Sequence, residues 1–395
     1  MGTSFQEYSR KSVDETTEEY IDRMCQRKDM FGATWEELSE AINEQVDTPH
    51  DESWYRKRWK KRQAALSFSE VTNEVDEKLY ALRLIKAQIT DERTQANALF
   101  RRLSREETLK EIAHDFADQM ESKKMLPISE NIIVNNDDRK AILVLSDWHY
   151  GLEVDNWLNK YNPSIAKKRL VVLKDSVIEE CKRYNVKELY VVNLQDLING
   201  RIHLKLRLNT RIDIVTQTME VAEIMAELLT DLSEHFHIQY YDSLDNHSRI
   251  EPNKKDSLEL ETMARIIGWY LKERLANHTN IVINKNELAP DIVTFSVNGK
   301  NVVGVHGDKD KPRNVIKNLS MLTHKQYALV LTGHFHHFSG DEENRARLVS
   351  NGSLIGTDDY SKDLRKDSEP SQNLIVLSNS TERGFIKCIC PIVVE

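Results

Sequence analysis

From residue 138 onward, short runs of aliphatic and β-branched residues alternate with stretches in which apolar positions recur every three or four. "AILVLSDWH", "ELYVVNLQDLING", "FHIQYYDSLDNHSR", "NVVGVHGDKD" and "YALVLTGHFHH" read as strands. Between the first two, Leu170, Leu173 and Val177 give the segment from Ser164 to Tyr184 the period of a helix. Strands that alternate with helices predict an α/β domain, and the loops beyond the carboxyl ends of its strands should gather at one edge.

The first third of the chain follows a different pattern. Thr34 and Glu37 form a capping-box pair, followed by Trp35, Leu38 and Ile42 at helical spacing. Thr48, Pro49 and His50 end that helix, and Asp51, Glu52 and Ser53 can start another. With a helix near residues 14–29, this predicts a helix-turn-helix-like module over 1–66. From Asp51 to Leu126 the chain has neither Gly nor Pro and is rich in strong helix formers. Residues 67–126 therefore predict a long helical arm, with Val75, Leu82, Ile89, Ala96 and Leu103 at seven-residue spacing. Leu79 and Phe100 extend the seam, whereas Lys86 and Arg93 interrupt it, so a solvated arm or hairpin and a dimerising coiled coil both remain open. Residues 127–137 read as a linker.

Charge changes this picture locally. The formal net charge of -9 supplies no global basic field, so nucleic-acid binding would need a patch. Arg56, Lys57, Arg58, Lys60, Lys61 and Arg62 flank Trp59 and form such a patch on the second helix of the module. They are candidate DNA contacts, although a solvated basic face is the common alternative. Four scattered cysteines, no leader-like segment and no stretch of membrane-spanning length predict a reducing, cytoplasmic setting without membrane insertion. Cys388 and Cys390 share one face of a last strand and read as core residues, since no second thiol pair accompanies them.

The candidate chemistry lies at the strand ends. Asp147 and His149 flank Trp148, and an extended backbone would point both to one side. Asp196 follows the second strand, Asn246 and His247 the third, His306 the fourth, and His334 and His336 the fifth. Any one of these is weak, since a lone Asp caps helices and a lone His commonly only hydrogen-bonds. The ordered series, each member at a strand end, predicts a shared metal centre.

This series, over residues 138–395, resembles that of the calcineurin-like metallophosphoesterases, and within them most nearly the Mre11/SbcD nucleases and phage proteins similar to DNA repair exonucleases. The resemblance implies a four-layer sandwich, two mixed β-sheets flanked by helices. It also implies that Asp147, His149, Asp196 and His336 hold one metal ion and Asp196, Asn246, His306 and His334 a second, with Asp196 bridging. His247 would then face the phosphate as a catalytic acid or transition-state stabiliser. Two divalent cations about 4 Å apart can share a carboxylate, activate water and steady phosphoryl charge. Donors without thiolate suit Mn²⁺, Fe²⁺ or Zn²⁺, and the nuclease resemblance favours Mn²⁺. The chain departs from the family pattern twice. Gln195 stands where a glycine normally precedes the bridging aspartate, and Ser248 where an acid normally follows the histidine.

Arg201, His203, Lys205, Arg207 and Arg211 follow the Asp196 strand, and Arg249 follows His247. Arg201, His203, Arg207 and Arg249 are candidate substrate contacts to flanking phosphates. Asn351, Gly352 and Ser353 mark a further edge of the site. The leading expectation is a two-metal DNA nuclease in the cytoplasm, the host's if the chain is phage-encoded, with the arm able to form a homodimer. The alternatives are a phosphatase or phosphodiesterase acting on nucleotides or phosphoproteins, and a DNA-binding adaptor with a weakly active metal domain.

Overall fold

The computed structural model describes residues 5–69, 74–202 and 210–395. Two compact units divide the chain, Met1–Thr108 and Leu109–Glu395, and the division falls inside the helix Glu74–Ser122.

In the first unit, helices Thr17–Arg27, Trp35–Asn43 and Glu52–Ser69 bury one apolar cluster. Tyr20, Met24, Leu38, Ile42, Tyr55 and Trp59 form its centre, each on the inward stripe of its helix. Thr34 and Glu37 make the reciprocal capping box, and Thr16 with Glu19 makes a second one. Along the arm, the described apolar side chains Leu82, Ile89 and Leu103 are exposed.

The second unit is α/β. Its six-stranded sheet runs β13-β12-β1-β4-β5-β6, from Ile386–Val393, Ser371–Leu377, Arg139–Leu145, Val186–Asn193, His237–Asp242 and Ile281–Ile283. A five-stranded sheet runs β10-β11-β9-β8-β7, from Ser339–Glu343, Ala346–Ser350, Leu329–Thr332, Lys300–Val305 and Ile292–Val297. A short pair, Val154–Asp155 with Lys160–Tyr161, completes the described sheets. β1, β4, β5 and β6 are mutually parallel, as are β8, β9 and β11.

Strand periodicity distributes the core. Ile142 and Val144 of β1 face the second sheet and join Val192, Val302, Leu329 and Leu331 in one cluster. Ala141, Leu143 and Leu145 point the other way, among side chains of the helices Pro163–Arg183, Ile214–Ser233 and Met263–Arg274. A strand buried on both faces reads as an unbroken apolar run, which is what "AILVL" is. On its outer face the second sheet packs Val303 and Val330 against Val315, Ile316 and Leu319 of the helix Val315–Thr323.

Residues 127–132 do not hang free. The Asn280 amide donates to the Glu130 carbonyl, its side-chain oxygen accepts from the Ile132 amide, and His278 Nε2 lies 3.0 Å from the Pro127 carbonyl. Cys388 and Cys390 are half-buried on β13 with their sulfurs 3.5 Å apart, as free thiols.

Candidate metal centre

Beyond their last paired residues, Leu145 and Asn193, the β1 and β4 segments keep bonding. Asp147, His149 and Tyr150 donate their amides to the carbonyls of Gln195, Asp196 and Leu197. The expectation of an extended Asp-x-His does not hold. Asp147 and His149 have φ of 55° and 46°, so they converge through left-handed backbone with Trp148 buried between them. Gln195, Asp196, His334 and His336 are also left-handed, at 70°, 53°, 70° and 59°. Each such residue costs on the order of 1 kcal/mol. That six gather at one strand edge marks a place where position outweighs local stability. Gln195 therefore adopts the turn a glycine would make, rather than one suited to a side chain. Its amide is fully buried, and both amide atoms lack a hydrogen-bond partner among the described residues.

The loops bring three overlapping donor groups together: Asp147, His149 and His336; His149, Asp196 and His247; and Asp196, His306 and His334. Asp196 belongs to two of them. The Asn246 side-chain oxygen lies 3.0 Å from His306 Nε2 and so joins the last group. Every metal ligand inferred from the sequence is thus in one cluster.

Ring nitrogens face each other across this cluster. His149 Nε2 is 3.0 Å from His336 Nε2, and His334 Nδ1 is 3.2 Å from His306 Nε2. Among the described residues, Asp196 Oδ2 is buried without a hydrogen bond although His306 Nε2 lies 3.1 Å away. Lone pairs and an orphaned carboxylate oxygen aimed at common points are what divalent cations satisfy, so this donor set fits two metal ions.

Supporting bonds fix the donors. His306 Nδ1 contacts the Leu194 carbonyl at 2.8 Å, which leaves Nε2 for the centre. Asp147 Oδ2 accepts from the Ser146 hydroxyl and the His334 amide. Ser146 in turn is held by the Asn351 amide, and Asn351 Oδ1 accepts from the backbone of Asn373. Ser146 and Asn373 carried no legible signal in the sequence beyond a polar residue beside an apolar run.

Burial alone would favour neutral groups here, but charges override it selectively. Asp196 is held well below the usual carboxylate range because the imidazoles of His247 and His306 outweigh its burial. His306 is raised to about 10 against its burial by Asp196, whereas His149 is driven well below its ordinary value by burial and by the neighbouring His247 and His336. Asp245, buried beside the Asp196 charge, is raised to about 7.

Neither Asp245 nor Ser248 holds His247. Asp245 accepts instead from the Asp196 amide and from the backbone and hydroxyl of Ser248. His247 is held by the Asn199 carbonyl, 2.9 Å from its Nδ1, a backbone contact that sequence reasoning missed.

The candidate substrate contacts divide. Arg201 donates from Nε and Nη2 to the Ile250 carbonyl, and Arg249 to the carbonyls of Asn246, Glu251 and Pro252. Both brace the loop that carries Asn246 and His247. Arg211 pairs with Glu153. His203, Lys205 and Arg207 lie outside the described residues. In the first unit, Arg58 pairs with Glu18, Arg62 with Asp22 and Arg56 loosely with Glu52. Lys57, Lys60 and Lys61 are exposed.

Residues 6–74 match the family described as the YonJ N-terminal domain. The SPbeta prophage-derived protein YonJ of Bacillus subtilis (strain 168) is 26% identical over 393 residues, 95% of this chain and 96% of that one. Among solved structures, a novel archaeal phosphodiesterase is similar at 14% identity, over 64% of this chain and 99% of its own, with a TM-score of 0.33. A predicted phosphoesterase of Streptococcus pneumoniae TIGR4 is similar at 13% identity over 64% and 98%, with a TM-score of 0.25. Zinc-bound Vps29 of Entamoeba histolytica is similar at 9% identity over 64% and 99%, with a TM-score of 0.29.

Proposed function

We propose that the chain is a two-metal phosphodiester hydrolase of the calcineurin-like type, acting on DNA. The observation that carries this reading is the overlap of the donor groups: His149 links Asp147 and His336 to Asp196, and Asp196 in turn belongs to the group with His306 and His334. The layering supports it, with helices, two sheets and a further helix stacked around three apolar clusters. Asp147, His149, Asp196 and His336 would hold one cation and Asp196, Asn246, His306 and His334 the other, for which we take Mn²⁺. When bound, such a pair polarises the phosphoryl group and lowers the pKa of a water molecule. His247 keeps Nε2 on the side of the centre, 3.9 Å from Asp196 Oδ2, where a protonated ring can donate to the departing oxygen.

DNA as substrate is supported by the helix Glu52–Ser69, whose outer face presents Lys57, Lys60 and Lys61. The exposed Leu82, Ile89 and Leu103, spaced by multiples of seven, support a homodimer through the arm. The prophage origin of the similar YonJ protein supports action in a host cytoplasm. Purified protein with Mn²⁺ should be offered an aryl phosphodiester, an aryl phosphomonoester, single-stranded DNA and duplex DNA in parallel. Cleavage of the diester and of DNA is expected. Activity confined to the monoester would replace the nuclease with a phosphatase.

A further inference from the structure

Beside His306 lies a cavity of about 200 Å³ that none of the metal donors other than His306 lines. Its walls are mainly apolar: Leu244, Ile292 and Val305 on one side, Leu319 and Leu322 of the helix Val315–Thr323 on the other. This is smaller than the roughly 300–1,000 Å³ of pockets that enclose drug-sized ligands. It suits one planar ring system and no more. The rim is fixed, because the Lys309 ammonium bridges Asp291 at 2.8 Å and Glu259 at 3.2 Å, and Lys254 reaches Asp308 at 3.4 Å.

One wall is polar. Asn318 donates to Asp310 Oδ1 at 3.2 Å, and among the described residues neither side chain makes another hydrogen bond. What remains is the second Asp310 oxygen and the Asn318 carbonyl as acceptors, with the second Asn318 N–H as a donor. An apolar slot with two acceptors selects a flat ring that carries N–H donors on its edge, and a carboxylate is a suitable acceptor for the exocyclic amine of a base.

We propose that this slot binds a nucleobase of the substrate, one carrying an exocyclic amino group, while the adjoining phosphate sits at the metal centre. The inference rests on the two-metal reading of the site and names its substrate class as nucleotidic. Guanine fits best, since two neighbouring N–H groups on its edge match two acceptors. Thymine, which offers one ring N–H between two carbonyls, fits worse.

Binding tests this without depending on turnover. Calorimetry with the full chain and Mn²⁺ should find deoxyguanosine 5′-monophosphate at least tenfold tighter than methyl phosphate, with thymidine 5′-monophosphate between them. Leu322→Glu, at a side chain that is 66% exposed, should bring both nucleotides close to the affinity of methyl phosphate. Asp310→Asn should narrow the gap between guanine and thymine. Equal affinity for all three ligands in the parent protein would overturn the slot. Failure of the phosphoesterase reading would look different, as guanine-selective binding with no hydrolysis of any phosphodiester.

Discussion

His247 Nδ1 lies 2.9 Å from the carbonyl oxygen of Asn199, on the loop that follows Asp196. A carbonyl can only accept, so Nδ1 carries the proton and Nε2 is the nitrogen left to face the centre. The acid expected after the histidine is replaced by a backbone atom. Gly200, next along that loop, has φ 67°, and a methyl group there would overlap the His247 carbonyl. His247→Ala should keep both metal ions and slow phosphodiester cleavage by roughly two to four powers of ten, the range of general acid help. The loss should shrink with a good leaving group such as p-nitrophenolate. Gly200→Ala should mimic it by displacing the ring. If His247→Ala cleaves DNA at the parent rate, the imidazole has no part in the chemistry.

Asp196→Asn tests whether two cations share this carboxylate. Asp196 is fully buried, with His306 3.1 Å from its unpartnered oxygen, and an amide in its place supplies neither the charge nor the second acceptor. We expect turnover to vanish and metal content, measured by elemental analysis, to fall below two ions per chain. Two retained ions with full activity would mean that the donor groups are independent.

How much of this could be read in advance varied with the physics involved. That Asp147, His149, Asp196, Asn246, His306, His334 and His336 would meet was legible, because strand ends in an α/β sheet deliver side chains to one edge whatever the loop details. The helix Trp35–Asn43 was legible too, since Thr34 and Glu37 announce its start locally. The loop conformation was not. Asp147 and His149 were expected in extended backbone, and their left-handed φ values arise from tertiary bonds to Gln195 and Asp196 that no local pattern records. Asn199 could not have been found, for its contribution is a carbonyl that every residue has. The roles of Arg201 and Arg249 were hidden for the opposite reason. A cation beside a metal site suggests phosphate, whereas these guanidinium groups direct their donors to loop carbonyls.

The basic helix divides into structural and available cations. Arg58 and Arg62 pair with Glu18 and Asp22 of the helix Thr17–Arg27, and Arg58 also stacks 5.6 Å over Trp54. Replacing them should loosen the module. Replacing the exposed Lys57, Lys60 and Lys61 with Ala should instead leave its melting unchanged and weaken DNA binding. The salt slope of log K should flatten by about one for each phosphate that is no longer neutralised. Unchanged DNA affinity from low to high salt would return this face to plain solvation.

Proton and metal compete for His306. In the metal-free chain, burial disfavours a charged imidazole there, but the Asp196 carboxylate at 3.1 Å overrides it and holds the group at about 10. A cation that takes His306 Nε2 must displace that proton, so apparent Mn²⁺ affinity should rise with pH, by about tenfold per unit for one proton released. Stability of the metal-free protein should move the other way. The raised His306 contributes fully below its unfolded value of 6.5, and its contribution is lost as pH climbs toward about 10. The depressed Asp196 contributes above its ordinary 3.8 and is lost as pH falls below that. Chelator-treated protein should therefore melt highest between about pH 4 and 6.5 as far as this pair governs it. Added Mn²⁺ should raise the melting temperature more at pH 8 than at pH 6. Melting curves with and without Mn²⁺ at those two pH values check this, and a Mn²⁺ effect that is equal at both, or larger at pH 6, would show that His306 gives up no proton to the metal.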